Sequence, residues 1–418
     1  MDKLIITGQN RLKGAINVHG AKNAALPILI SSLLSNKDLK LFNVPKVDDI
    51  NNMLKLLKGY GSNIKNNKNS IIINNSNIKN ISADYDIVRK MRASILILGP
   101  LLSRFGYSKI SLPGGCAIGT RPIDIHLDGL TKLGATFNIE NGFVIGNIKN
   151  KLKGNNIKLP FPSVGATENI LMASVLAEGD TIIENAAREP EIEDLGNCLI
   201  SMGAKIDCLG SKKIFIHGVT SLNEAKHNII SDRIVAGTYI ILAVMLNCNF
   251  EVNNFNPNHI KSLIQILKKM GCNLDINESS VKVFPSNKLK SGKVITAPYP
   301  GFPTDLQAQL MALMSLTEGR SQIKETVFEN RFMHVPELNR LGAKINLKKD
   351  KAYIEGGQNF KGAQVMASDL RASVSLVLAA LCAEGTTTIN RVYHLDRGYE
   401  KIEQGIGKLG LKIKRIKY

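Results

Sequence analysis

The sequence predicts an α/β protein of two domains, each assembled from three copies of one unit. Two observations predict it: a sixfold internal repeat, and an alternation of helix-like and strand-like segments inside every repeat. The repeat is marked by a helix-like segment that ends in Gly and runs into a short β-prone stretch. It reads Gly61-Ser-Asn-Ile, Gly134-Ala-Thr-Phe, Gly203-Ala-Lys-Ile, Gly271-Cys-Asn-Leu, Gly342-Ala-Lys-Ile and Gly410-Leu-Lys-Ile. The glycines lie 73, 69, 68, 71 and 68 positions apart, so a unit of about 70 residues tiles the whole chain.

Within a unit, a second signal lies upstream of each glycine. Units three, five and six read Leu176-Ala-Glu-Gly-Asp-Thr-Ile-Ile, Leu316-Thr-Glu-Gly-Arg-Ser-Gln-Ile and Leu381-Cys-Ala-Glu-Gly-Thr-Thr-Thr-Ile. Each is a helix stopped by Gly and followed by an alternating strand. Before it comes an Ala/Ser/Leu-rich helix, such as 372–380, apolar nearly all round and therefore buried. A unit thus holds two helices, with strands between and after them.

A unit this long is too large for an ordinary solenoid repeat, and three units per domain is the economical division. The boundary is expected between Ala225 and Ser231. One domain then comprises residues 1–20 plus 231–418 and carries both termini; the other is 21–230. A substrate-sized pocket is expected in a cleft between two similar domains.

Composition narrows the function classes. Apolar runs such as 239–246 stop far short of the roughly 18 to 20 residues that a membrane span needs. The start of the chain shows no apolar signal core, so cytoplasmic residence is the expectation. The six cysteines include no C-x-x-C pair, which suggests neither a zinc site nor a disulfide framework. A formal charge of +19 fits nucleic-acid binding or an anionic substrate. The lysines are scattered among asparagines, Trp is absent and aromatics make up 5%, so a base-stacking platform is poorly supplied.

Four constellations can carry chemistry. Leu112-Pro-Gly-Gly-Cys116-Ala-Ile-Gly-Thr-Arg121-Pro-Ile-Asp124 sets a thiol near a cation in a segment too rich in Gly and Pro for regular structure. A cation favours the thiolate. A surface turn with an incidental Cys fits the same composition. Gly20-Ala-Lys22-Asn23 opens a buried helix, where unpaired N–H groups and a lysine attract anions; an ordinary first-turn lysine fits too. In Phe302-Pro-Thr304-Asp305, Thr304 or Asp305 is expected to cap the following helix, and Asp305 can also take a proton from a bound hydroxyl. Arg331, Arg371 and Arg397 each stand near acid, amide or imidazole groups, which is the pattern of surface salt bridges or, if they converge, of a polyanion site.

These stretches belong to longer blocks: Gly20-Ala-Lys-Asn-Ala-Ala-Leu-Pro27, Met91-Arg-Ala-Ser94, Leu112-Pro-Gly-Gly-Cys116, Gly119-Thr-Arg-Pro122, Ser163-Val-Gly-Ala-Thr167, Glu184–Ile192, Phe302–Gln309, Glu325–His334 and Asp369-Leu-Arg-Ala-Ser373. Together they make the chain resemble the family of UDP-N-acetylglucosamine enolpyruvyl transferases from end to end. The resemblance implies the two-domain enolpyruvyl transferase fold, an inside-out α/β barrel of six βαβαββ repeats, three per domain. It implies transfer of the enolpyruvyl group of phosphoenolpyruvate to the 3′-hydroxyl of UDP-N-acetylglucosamine with release of phosphate. The route is addition to a tetrahedral ketal followed by elimination, the first committed step of peptidoglycan precursor synthesis. No cofactor, no metal, no nucleic acid, no membrane insertion and no obligate protein partner are implied.

By the same resemblance, Cys116 is the general acid and the site of a covalent adduct, and Asp305 takes the hydroxyl proton. Lys22, Arg121 and Arg397 surround the phosphate, and Arg331 and Arg371 complete the cationic wall. Asn23, Arg92, Pro122, Asp124, Ser163, Val164, Gly165 and Val327 match positions around the substrates, mainly the UDP-sugar. Phe161-Pro162 stands where some members carry a lysine, which puts one nucleotide contact in doubt. The retained thiol implies sensitivity to the epoxide fosfomycin. An enolpyruvyl transferase acting on shikimate 3-phosphate shares the fold but lacks the Cys-bearing loop. A silent paralogue would have lost site residues that are all present here.

Overall fold

The computed structural model describes residues 2–8, 12–78, 91–112 and 123–417, with Arg92 described by its backbone alone. The chain divides into two compact units. One takes the described residues of 1–19 and 231–418, and the other takes those of 20–230. Each has its own apolar core.

At the centre of the 231–418 unit, three helices pack on one another: Arg233–Met245, Gln307–Leu316 and Leu370–Cys382. Every residue of Arg233–Met245 is buried, as its apolar circumference requires. Each fully buried Leu, Ile, Val or Met side chain contributes roughly 1.5 to 3 kcal/mol relative to exposure. Small hydroxyls fit these crowded helices because they bond back to their own backbone. Ser315 Oγ donates to Met311 O (3.1 Å), and Ser375 Oγ to Ala372 O (2.8 Å). In the 20–230 unit the inner positions go to Lys22–Ser31, Leu98–Phe105 and Val164–Ser174. Amphipathic outer helices, Asp48–Tyr60, Asp124–Lys132 and Pro190–Ser201, pack on these.

All six repeat glycines adopt positive φ, from 88° at Gly410 to 108° at Gly61. Each lies just past an outer helix and turns the chain into a strand. The second signal behaves alike: Gly179, Gly319 and Gly385 have φ of 84° to 91°. Beside them Glu178, Glu318 and Glu384 form the same isolated parallel bridge to Lys153, Lys290 and Lys361.

Among the described residues the strands form six separate sheets, one per repeat, and not one closed barrel. Five of them have four strands in a common pattern, a parallel outer strand beside the repeat's first strand and then two antiparallel strands, which form a hairpin in four of the five. Asp180–Glu184, for instance, pairs parallel with Asn156–Lys158 and antiparallel with Lys213–His217. Alternating burial turns one face of each sheet to the helices. Strands from sequence-distant parts of the chain complete four-stranded sheets. Ala15–Asn17 pairs with Phe250–Asn253, and Ala225–Asn228 with Leu39–Phe42. Lys3–Thr7 lies between Thr386–Asn390 and Lys412–Ile416. No described helix is long and apolar enough to cross a membrane.

Candidate active site

Several of the residues singled out from sequence lie at one recurring place, the start of the inner helices. Lys22 is the first residue of Lys22–Ser31, and exposed Asn23 is the second. Ser163 is the N-cap of Val164–Ser174, where its hydroxyl accepts from the N–H of Ala166 (3.4 Å), and Val164 and Gly165 form the first turn. The backbone of Arg92 begins a 3-10 turn, Arg92–Ile97, that leads into Leu98–Phe105. Asp305 lies in a similar turn, Thr304–Leu306, ahead of Gln307–Leu316, and Arg371 is second in Leu370–Cys382. Helix starts carry unpaired N–H groups and a positive end, so this arrangement suits anionic ligands.

In the 231–418 unit Asp305 is the hub. Its two carboxylate oxygens accept from different guanidinium groups, Oδ1 from Arg331 Nη2 (2.6 Å) and Oδ2 from Arg371 Nη2 (2.9 Å). Both arginines are buried, at 5% and 6% exposure, whereas the Asp305 side chain is 25% exposed. The expected cap is therefore absent: neither Thr304 nor Asp305 caps the helix. Thr304 instead donates to Glu325 Oε2 (2.8 Å). Glu325 Oε1 also accepts from the N–H of Val327 (2.8 Å), so one buried carboxylate ties half-buried Val327 to the Asp305 turn.

A second layer surrounds Arg371. Asp369 and Asp232 cap the two neighbouring inner helices, Asp369 Oδ1 accepting from the N–H of Arg371 (2.8 Å) and Asp232 Oδ1 from that of Ile234 (2.9 Å). Burial opposes the charge of Arg371, yet Asp305, Tyr399 and Asp232 outweigh it and hold Arg371 above the usual arginine range. Tyr399 donates to Thr238 (2.9 Å), whose own hydroxyl donates to Ile234 O (2.8 Å). Gln309 Nε2 links Thr238 (3.2 Å) to the carbonyl of Asp305 (3.0 Å). Burial pushes the Tyr399 hydroxyl pKa up, partly offset by the Arg371 charge.

Half-buried Arg397 follows the short helix Tyr393–Asp396 and is close enough to lower the pKa of His394, after burial as the main cause. That helix is anchored by Arg415, which grips Asp396 with two guanidinium nitrogens (2.9 and 2.5 Å) and reaches Glu403 as well (3.2 Å). Of the three arginines, Arg331 and Arg371 converge on one carboxylate.

In the 20–230 unit, buried Lys22 donates from Nζ to Asp49 Oδ2 (2.9 Å). Exposed Asp124 begins Asp124–Lys132. Hydrogen bonds from one amide side chain join the remaining segments: Asn169 Oδ1 accepts from Gly99 N (2.7 Å), while its Nδ2 reaches Ile95 O (3.0 Å) and His126 Nδ1 (3.2 Å). A Cβ at Gly165 would lie 3.0 Å from the His126 ring, which would have to shift to admit it.

Cys116, Arg121, Pro122 and the side chain of Arg92 lie outside the described residues. Sequence reasoning missed Asp49, Asp232, Tyr399 and the network of Thr238 and Gln309. Asp232 was open to discovery, because Ser231-Asp232 and Ser368-Asp369 occupy the same point of their repeats. The pairing of Asp49 with Lys22 leaves no local sequence signal.

Comparison with known proteins finds relatives of this chain over its whole length. The EPSP synthase (3-phosphoshikimate 1-carboxyvinyltransferase) family matches residues 6–406. A UDP-N-acetylglucosamine 1-carboxyvinyltransferase of Pelagibacter ubique is 52% identical over 416 residues, covering 100% of both chains. Its counterpart in Granulibacter bethesdensis is 50% identical over 418 residues, again with 100% of both covered. Among solved structures, the enolpyruvyl transferase NikO of Streptomyces tendae superposes with a TM-score of 0.90 at 24% identity, covering 99% of each chain. An EPSP synthase of Acinetobacter baumannii gives 0.77 at 20% identity, covering 100% of each. These two likenesses establish the fold, and the half-identical relatives establish the closer kinship. On that full-length identity, the chain belongs to the family of UDP-N-acetylglucosamine 1-carboxyvinyltransferases.

Proposed function

We propose that the protein transfers the enolpyruvyl group of phosphoenolpyruvate to the 3′-hydroxyl of UDP-N-acetylglucosamine and releases phosphate, in peptidoglycan precursor synthesis. The observation that carries this reading is the 50 to 52% identity, across the whole chain, to proteins named for that reaction. The acceptor oxygen bonds to C2 of phosphoenolpyruvate while C3 gains a proton, giving a tetrahedral ketal. The C2–O bond to phosphate then breaks, C3 gives up a proton and the double bond returns. Cys116 is assigned as the proton donor to C3 from the family resemblance.

Asp305 is assigned to take the hydroxyl proton, and its surroundings add a condition. A carboxylate with a guanidinium on each oxygen is held in its charged form and is a poor base. Arrival of an anionic substrate at Arg331 or Arg371 offers those cations another partner and frees a carboxylate oxygen. The base is thereby armed by the substrate itself. Lys22, Arg121 and Arg397 are assigned to the phosphate and Arg331 and Arg371 to the rest of the cationic wall, because charge moving onto phosphate calls for preorganised cations. Asn23, Arg92, Arg121, Pro122, Asp124, Ser163–Gly165 and Val327 are assigned to binding. Phosphoenolpyruvate and UDP-N-acetylglucosamine are the partners, and the cytoplasm is the proposed compartment.

The test is phosphate release with each substrate omitted in turn and with shikimate 3-phosphate offered as acceptor. Release is expected only with phosphoenolpyruvate and UDP-N-acetylglucosamine together; release with shikimate 3-phosphate would redirect the reading. Asp305→Asn keeps the shape but loses the base, and kcat is expected to fall by about 10² to 10⁴. Undiminished turnover in that variant would remove Asp305 from its role.

A further inference from the structure

Three segments of the 231–418 unit meet on one buried carboxylate, that of Glu325, which is 5% exposed. Glu325 stands just past the strand Arg320–Lys324, level with Thr296, which follows the parallel strand Lys293–Ile295. Its Oε1 accepts from Thr296 Oγ1 (2.8 Å) and from the N–H groups of Val327 (2.8 Å) and Phe328 (3.2 Å). Its Oε2 accepts from Thr304 Oγ1 (2.8 Å). The two ends of the loop 297–303 are therefore held by the two oxygens of a single side chain. Fully buried Thr296 tightens the join: its hydroxyl accepts from the N–H of Thr326 (2.9 Å), and its carbonyl accepts from the Thr326 hydroxyl (2.5 Å). Burying a carboxyl group is costly, and four donors on two oxygens offset that cost. Apolar side chains could fill the same space, whereas a satisfied polar network fixes where each segment lies.

Asp305 needs such a hold. Its carboxylate is fixed by Arg331 and Arg371, and these are the partners that an arriving anion draws away. Two bonds that do not involve those arginines hold its turn, Thr304 to Glu325 and Gln309 Nε2 to the carbonyl of Asp305 (3.0 Å).

We propose that Glu325 is a positioning residue for the acceptor substrate. Through Thr304 it holds the base Asp305, and through the Val327 N–H it holds the segment assigned to the UDP-sugar, in one frame that outlasts the release of the arginines. The inference rests on the readings of Asp305 as the base and of Val327 as a sugar-binding position. A base must lie within hydrogen-bond reach of the hydroxyl that it deprotonates, and a displacement of about 1 Å can cost about 10²-fold in rate.

The test takes the two arms separately. Thr304→Val removes the hydroxyl at nearly constant volume, and Thr304→Ser keeps it. At saturating substrates kcat is expected to fall about tenfold in Thr304→Val and to stay within about twofold of wild type in Thr304→Ser, with the KM for phosphoenolpyruvate unchanged in both. Wild-type kcat in Thr304→Val, an equal fall in both variants, or a loss carried by KM alone would overturn the proposal.

Glu325→Asp keeps the carboxylate on an arm one methylene shorter, too short to reach all three segments at once. It is expected to lower kcat about as much as Thr304→Val and, unlike that variant, to weaken UDP-N-acetylglucosamine binding about tenfold by titration calorimetry. A Glu325→Asp enzyme that is folded by circular dichroism and shows either wild-type kcat or wild-type UDP-sugar affinity would overturn the proposal. Should Glu325→Asp fail to fold, the Thr304 pair decides the matter. Failure of the functional reading looks different: the wild-type protein itself would release no phosphate from the two substrates.

Discussion

At the scale of single residues, the site shows how burial sets chemistry. His334 is buried close to the Arg331 and Asp369 charges. Burial pushes its pKa down to about 4, with Asp369 pulling upward and Arg331 adding to the fall. The unfolded histidine titrates near 6.5, so between those values the unfolded chain holds the extra proton. Stability from this group is therefore present above about pH 6.5 and is lost as pH falls toward 4, an effect on the order of 1 to 3 kcal/mol. Denaturant unfolding at pH 7 and pH 5 should show a smaller loss in His334→Asn than in the wild type; equal losses would contradict this. The types of the site residues were legible in the sequence, because Lys22, Asp305, Arg331 and Arg371 stand in long specific blocks. Their partners were not: Arg331 and Arg371 lie 26 and 66 positions from Asp305, and nothing in local spacing says which acid an arginine will meet.

At the scale of elements, the repeat glycines decide where helices end. Gly134 has φ of +102° with open space where a Cβ would stand, so Gly134→Ala isolates the cost of left-handed backbone, about 1 to 2 kcal/mol. Gly59 lies inside the Asp48–Tyr60 helix, also with open space, and there Gly59→Ala should stabilise by about 0.5 to 1 kcal/mol. Urea unfolding of the two variants is expected to show opposite signs; the same sign in both would undo the capping account. Helix ends and buried inner helices were readable because Gly spacing and all-round apolarity are local properties. The Asp305 cap was misread for the converse reason, since two distant guanidinium groups outcompete the nearby backbone N–H groups for that carboxylate.

On the scale of the whole molecule, one unit of about 70 residues recurs six times and each set of three buries its own helices. Strand partners such as Lys3–Thr7 with Lys412–Ile416 bring together residues some 400 positions apart, a pairing that hydrophobic alternation cannot announce. The repeat nevertheless predicts the vacancy such strands fill, since five of the six described sheets share the same four positions. Repetition also accounts for the site: the same helix start is offered six times, and the sequence varies what it presents there, Lys22 and Ser163 in one unit, Asp305 and Arg371 in the other.

The most direct test of the central claim is phosphorus and proton NMR of a complete reaction of the purified protein with phosphoenolpyruvate and UDP-N-acetylglucosamine. The account predicts one inorganic phosphate for every UDP-sugar consumed, with new vinyl protons on a product ether-linked at the 3′-oxygen. Binding of the UDP-sugar without turnover, or phosphate appearing while the UDP-sugar stays intact, would contradict it.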